Sequence, residues 1–281
     1  MKVACTGHSR ALGARIAGHL GAGIAETRFS RFPDGEIYLQ TGPLDETTVV
    51  VGSLLSGDSL VELLLLTDAC QRSEVLLVVP YLGYARQDRE FKPGEPVSAR
   101  AIARALSIGV SRVITVNAHK ETVLTHFTVP ASQVNLAPEV GDYIRGLGLS
   151  DPLILAPDKG AAPFAAAVAS RGGWETDHLE KTRISGTEVR VEPRRGEAWT
   201  GDVVLVDDII STGGTLATAA RMLRAQGARG VHAVCVHGLF AGSALGLLRS
   251  AGIDLIAASD TIEGPESRYS AAGPIARALS R

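Results

Sequence analysis

VVLVDDIISTGGT, residues 203–215, joins an apolar run, two acids and a glycine loop in one short string. Val203 to Val206 have the length and β-branched character of a strand buried on both faces of a parallel sheet. Asp207 and Asp208 follow at its carboxyl end, the edge at which open α/β sheets take up ligands. Ser211, Thr212, Gly213, Gly214 and Thr215 then wrap ahead of a helix expected over Thr215–Gln226. Paired glycines let the backbone come close to an anion with its N–H groups turned inward, and the helix N-terminus adds partial positive charge. No lysine follows the glycines, so this is not a Walker A loop. A lysine-free phosphate loop beside two carboxylates suits a phosphorylated sugar, with the loop on the phosphate and the acids on the hydroxyls. A lone Gly-Gly would be read as a turn with an Asp cap; the complete string weakens that alternative.

Working outward, strand-length apolar runs recur at Val49–Val51, Val75–Val79, Val113–Val116, Leu153–Ala156, Val231–Val236 and Leu255–Ala258. Helix-period segments lie between most of them, at Ser59–Cys70, Ser98–Gly109, Pro138–Gly146 and Ala161–Arg171. Strands alternating with helices predict an α/β fold with mainly parallel sheets covered on both faces. Laid over each other without gaps, Thr48–Ala85 and Val203–Phe240 keep strand, loop, helix and next strand in register. This internal repeat predicts two related domains, 1–137 and 138–281. For the tail 265–281, packing back on the first domain is one of two options that the sequence leaves open. The copies differ at their loops: Gly52, Ser53 and Asp58 to Leu60 stand where the second copy has Asp207, Asp208 and Gly213 to Thr215. The anion site is therefore expected in the second copy.

The 281 residues are 45% hydrophobic, 21% charged and only 5% aromatic, so the core must be built from Val, Leu, Ile and Ala. A net charge of −2 provides no global attraction to nucleic acid or to an anionic membrane. Three widely spaced cysteines, Cys5, Cys70 and Cys235, read as small buried hydrophobes and suggest neither a disulfide set nor a metal cluster. The first ten residues lack the apolar core of a signal peptide, and no apolar run is long enough to span a membrane. A cytoplasmic protein is expected.

The 203–215 string resembles the phosphoribosyl diphosphate loop of the phosphoribosyltransferase fold. Five further segments, in order along nearly the whole chain, resemble the ribose-phosphate diphosphokinase (phosphoribosyl diphosphate synthetase) family. Phe32, Asp34 and Glu36 are similar to its F-x-D-x-E segment, which implies a ring stacked on adenine and carboxylates at the nucleotide. Arg86, Gln87 and Asp88 close the segment PYLGYARQD, where the resemblance implies ATP contacts, with Arg86 and Gln87 reaching the nucleotide of a neighbouring subunit. VNAHK, 116–120, is similar to the family's D-x-H segment and implies a metal or phosphate contact for His119, although Asn117 stands in place of the usual Asp. An amide is a poorer Mg²⁺ ligand than a carboxylate. PDKG, 157–160, resembles the loop that cups diphosphate and metal, with Asp158 as the implied ligand. EKTRIS, 180–185, resembles the catalytic loop of compact, archaeal-type members and implies catalytic roles for Lys181 and Arg183.

The resemblance implies two tandem phosphoribosyltransferase-type domains, with ATP-contacting loops on the first and a ribose 5-phosphate site on the second. It also implies Mg²⁺ as cofactor, ATP and ribose 5-phosphate as substrates, and a homodimer or higher homo-oligomer. Two alternatives stay open on sequence: a phosphoribosyltransferase, which would not need ATP, and a regulatory paralogue without turnover.

Overall fold

The computed structural model describes residues 1–183, 189–193 and 199–281, with side chains described for 1–180 and 199–281. The chain divides into two compact units, Met1–Asn135 with Thr261–Glu263 and Ser270–Arg281, and Leu136–Asp260 with Gly264–Tyr269. The division falls two residues before the boundary expected at 137. Only 270–281 of the tail joins the first unit, while Gly264–Tyr269 stays with the second as part of its sheet.

In the first unit, β1 (Lys2–Cys5), β2 (Gly23–Ile24), β5 (Thr47–Val51), β6 (Glu74–Val79), β7 (Arg112–Val116) and β8 (Ala131–Val134) form one parallel sheet. Its order is β2-β1-β5-β6-β7-β8. β3 (Thr27–Arg31) and β4 (Ile37–Thr41) make a separate antiparallel hairpin that packs beside α2. The helices are α1 (Arg10–Leu20), α2 (Gly57–Ala69), α3 (Ser98–Leu106) and, from the far end of the sequence, α8 (Ala272–Leu279). β5, β6 and β7 are almost fully buried, as strands covered on both faces must be. α8 packs on α1 and against β7 and β8, and Arg112 donates to the carbonyl of Ala278.

The second unit repeats the topology. Its strands are β9 (Leu153–Ala156), β10 (Thr176–Arg183), β11 (Val189–Pro193), β12 (Asp202–Ile210), β13 (Gly230–Gly238), β14 (Leu255–Ser259) and β15 (Ser267–Tyr269). Their order is β11-β10-β9-β12-β13-β14-β15, all parallel except the β10–β11 pair. The helices are α4 (Ala137–Gly146), α5 (Ala162–Ala169), α6 (Gly214–Ala225) and α7 (Ala244–Ser250). With β11 set aside, each sheet runs second strand, first, third, fourth, fifth, sixth, counted in chain order without the β3–β4 hairpin. The order reverses between β1 and β5 in one unit and between β9 and β12 in the other, and a ligand crevice opens beyond the strands' carboxyl ends at such a point. The three cysteines are free and buried, and burial pushes the Cys70 thiol up to about 11 and Cys5 to about 12.

Two sequence expectations need correction here. β12 does not stop at Val206: it runs through both aspartates to Ile210, because β13 is equally long and pairs Ile209 with His237 and Ile210 with Gly238. Lys181 and Arg183 stand in β10 rather than in a loop, with backbone register opposite Val191 and Val189. Their side chains lie outside the described residues, as does the rest of the expected catalytic loop at 184–188.

Candidate active site

The second unit gathers three acids at its switch point. Asp158 follows β9 through a single turn, and its Oδ1 accepts the backbone N–H groups of Gly160 (2.8 Å) and Ala161 (3.1 Å). Those two bonds close the loop ahead of α5. Asp207 and Asp208 sit on the neighbouring β12, where Asp207 Oδ1 accepts the N–H of Asp208 at 2.9 Å. Burial, and then the charges of Asp208 and Asp158, raise the Asp207 carboxyl well above the ordinary carboxylate range. A carboxyl pushed up in this way, in a crevice between strands, marks a candidate site for positive charge or hydroxyl donors.

Beyond β12 the chain turns sharply. Gly213 has φ +75°, and a Cβ there would lie 3.0 Å from Leu248 Cγ, so both conformation and space call for glycine. α6 begins at Gly214 with no capping side chain and no acid in its first turn. The first N–H groups of this helix therefore have no side-chain cap, which is the arrangement that binds anions. The far side of the turn is fixed by Ala241, whose N–H donates to the carbonyl of Ser211 at 3.0 Å.

In the first unit the expected nucleotide residues fall in two groups. Phe32, Asp34 and Glu36 form the tip of the β3–β4 hairpin, closed by Gly35 at φ +96° and by an N–H from Glu36 to Asp34 Oδ1 at 3.2 Å. Phe32 is 49% exposed and meets Tyr38 edge to face with centroids 5.6 Å apart, so one face of its ring has room for a stacking partner. Arg31 ties this tip to Asp58 in the first turn of α2.

Arg86, Gln87 and Asp88 lie in the loop after β6. Gln87 serves the fold: its Oε1 accepts the Ser98 hydroxyl at 2.7 Å and its carbonyl accepts the N–H of Ala99, which closes the start of α3. Asp88 pairs with Lys120 at 2.7 Å, joining the loop after β6 to the loop after β7 that carries His119. Lys120 holds Asp88 below the usual carboxylate range. Lys120 is thus a cation fixed among the expected ATP residues that sequence reasoning left without a role; its position next to His119 was the available signal. Asn117 has φ +37°, a region Asn tolerates better than most residues, and its Nδ2 stands 3.5 Å from Asn135 Oδ1. The replacement of the expected Asp therefore has a local backbone setting.

Comparison with known proteins fits both halves of this arrangement. Residues 1–108 match the N-terminal domain of ribose phosphate pyrophosphokinase and residues 135–250 match the phosphoribosyl transferase domain. The ribose-phosphate pyrophosphokinase of Methanosarcina acetivorans is 45% identical over 284 residues, covering 100% of each chain. The chain belongs to the ribose-phosphate pyrophosphokinase family. The enzyme of the same name from Methanopyrus kandleri is 44% identical, covering 99% of this chain and 98% of its own. The crystal structure of phosphoribosylpyrophosphate synthetase from Mycobacterium smegmatis superposes with a TM-score of 0.86 at 25% identity, over 99% of this chain and 97% of that one. Both units are accordingly phosphoribosyltransferase-type α/β domains, and the chain is a member of an enzyme family of transferases. No described helix is long and apolar enough to cross a membrane.

Proposed function

We propose that the protein transfers the diphosphoryl group of Mg-ATP to ribose 5-phosphate, giving phosphoribosyl diphosphate and AMP. The observation that carries this reading is the uncapped, glycine-turned start of α6 beside the crowded acids Asp158, Asp207 and Asp208. The 5-phosphate lies on the N–H groups of Ser211–Thr215, and Asp207 and Asp208 take the ribose hydroxyls. A carboxyl raised toward neutrality can donate to a hydroxyl oxygen as well as accept from it. The anomeric oxygen attacks the β-phosphorus of ATP, its proton leaves, the bond from the β-phosphorus to the bridging oxygen breaks, and AMP departs with that oxygen. Phosphoryl transfer of this kind needs positioning and charge neutralisation more than covalent help.

Phe32 stacks on adenine, Asp34 and Glu36 hold the nucleoside, and Arg86, Gln87 and the Asp88-braced Lys120 meet phosphate. Lys181 and Arg183 neutralise charge that develops in the transition state. Mg²⁺ is the cofactor of this reading, an ion that keeps several waters and takes one or two protein carboxylates beside substrate phosphates. His119 on the first unit and Asp158 on the second are each read as a ligand that would hold Mg²⁺, and the ion would supply charge neutralisation at the phosphates. Because Arg86 and Gln87 are read as reaching a neighbour's nucleotide, the working form is a homodimer or larger homo-oligomer, acting in the cytoplasm.

The test is incubation with ATP, ribose 5-phosphate and Mg²⁺ followed by chromatography of nucleotides. AMP should appear in step with phosphoribosyl diphosphate and only when the sugar phosphate is present. Lys181→Ala should lower turnover by about 100-fold or more, the scale of a lost oxyanion-hole donor. A folded, ATP-binding protein that releases no AMP would sink the reading.

A further inference from the structure

Among the described residues, four that are not glycine have positive φ: Tyr84 (+65°), Asn117 (+37°), Asp151 (+41°) and Phe240 (+43°). Asn and Asp enter this region with little strain, because a short polar side chain can hydrogen-bond locally. For a bulky aromatic residue it is an outlier that persists only where the surroundings fix it. Both aromatic outliers follow the fourth strand of their own sheet, counted as above, Tyr84 after β6 and Phe240 after β13. The repeated topology sets the same strain twice, and the two rings differ in what they do with it. The N–H of Phe240 donates to the carbonyl of Ile210 at 3.1 Å, and its ring fills the space that a Cβ on Gly238 would need and packs on the core of the second unit.

The backbone around Tyr84 is held as firmly. The N–H of Leu54 donates to the carbonyl of Tyr81 at 2.8 Å, a Cβ on Gly83 would run into the carbonyl of Leu54, and Ala85 is buried in the core of the first unit. Yet Tyr84 itself is 48% exposed. Packing offsets the strain at Phe240; at Tyr84 the side chain stays in solvent, and residues held in this way gather at ligand contacts. The loop indicates the ligand's charge. Its acids are engaged close by: Asp88 pairs with Lys120, Glu90 accepts the N–H of Gly94, and Glu95 accepts those of Phe91 and Lys92. Arg86, on the other side of buried Ala85, stands exposed. A cation beside Tyr84 suits an anionic ligand, and the phenol adds an O–H donor to it. We propose that Tyr84 is a substrate-contacting residue whose hydroxyl donates to a phosphate oxygen of the nucleotide, an inference that rests on the nucleotide reading of this loop.

The test is titration calorimetry of the full chain with Mg-ATP, without ribose 5-phosphate so that no transfer occurs. Tyr84→Phe keeps the ring and the backbone strain and removes only the donor. It should weaken ATP binding about 10-fold, the scale of one hydrogen bond to a charged group. Adenosine, which has no phosphate, should compete with ATP equally well on the wild type and on this variant. Tyr84→Asn, a residue that accepts the left-handed region, should weaken ATP at least as much while melting no lower than the wild type, a combination that a purely structural side chain does not give. A Tyr84→Phe protein that binds ATP as tightly as the wild type overturns the proposal alone. So does a Tyr84→Phe protein that loses adenosine to the same degree as ATP, or a Tyr84→Asn protein that melts lower. A wild type that binds no ATP overturns the nucleotide reading and the proposal with it.

Discussion

After β5 the chain enters α2 through Ser56, whose hydroxyl accepts the N–H of Ser59 at 3.3 Å, while the Ser59 hydroxyl accepts the N–H groups of Leu55 and Ser56 at 2.8 Å. After β12, at the matching point of the same topology, the chain enters α6 through Gly213 with no capping side chain at all. The first loop satisfies its donors from within and adds Asp58 to the first turn, which a phosphate would meet as repulsion. The second leaves its helix start uncapped and sets its acids on the strand, where hydroxyls rather than phosphate would reach them. One scaffold thus appears twice in the chain, and a few side chains at the turn decide whether its helix start is capped or left open.

Gly213→Val should break this difference most severely. A β-branched residue at φ +75° is strained, and its Cβ would press on Leu248. AMP formation dependent on ribose 5-phosphate should fall about 100-fold or more. By contrast, Gly57→Ala at the first residue of α2 meets nothing within 4 Å and should leave turnover unchanged. Asp207→Asn sharpens the comparison on the acid side. A carboxyl raised in the fold contributes stability that is present below the ordinary carboxylate range and is lost as pH rises toward the folded value of about 8. Thermal melts of the ligand-free wild type should therefore decline over that window, and the Asn variant should decline less while turning over more slowly. Phe32→Ala, on the exposed hairpin tip, should raise KM for ATP about 10-fold with little change in kcat, within the range of one base stacked on an aromatic ring. Ser56→Ala should be smallest, costing about 1 kcal/mol of stability in chemical denaturation through the lost cap, with activity retained.

How much of this was legible in the sequence depends on how local each signal is. The strands at Leu153–Ala156 and Val75–Val79 and the five helices announced themselves by apolar period, and they lie within about two residues of expectation at most ends. β12 was misjudged because Asp207 and Asp208 look like a strand's end; only the equal length of β13 keeps the ladder going past them. The pairing of β10 with β11 was hidden because Glu180–Arg183 carries charges that read as a surface loop. The bracing of Lys120 by Asp88 joins two loops 32 residues apart, and no spacing rule reaches that far. Asn117 looked like a defect in a motif until its backbone angle supplied a local setting.

The first unit has a further property, set by the order in which it is made. Ser53, buried behind β5, donates its hydroxyl to the carbonyl of Thr261, and the N–H of Leu12 donates to Glu263 Oε1 at 2.7 Å. α1 is covered by α8. A ribosome that has finished residue 135 has therefore not yet supplied the parts that close the first unit, although it goes on to complete nearly all of the second before doing so. The half translated first is the half that is completed last, and a fragment cut at the apparent domain boundary would strip α8 from α1 and leave Ser53 without its acceptor.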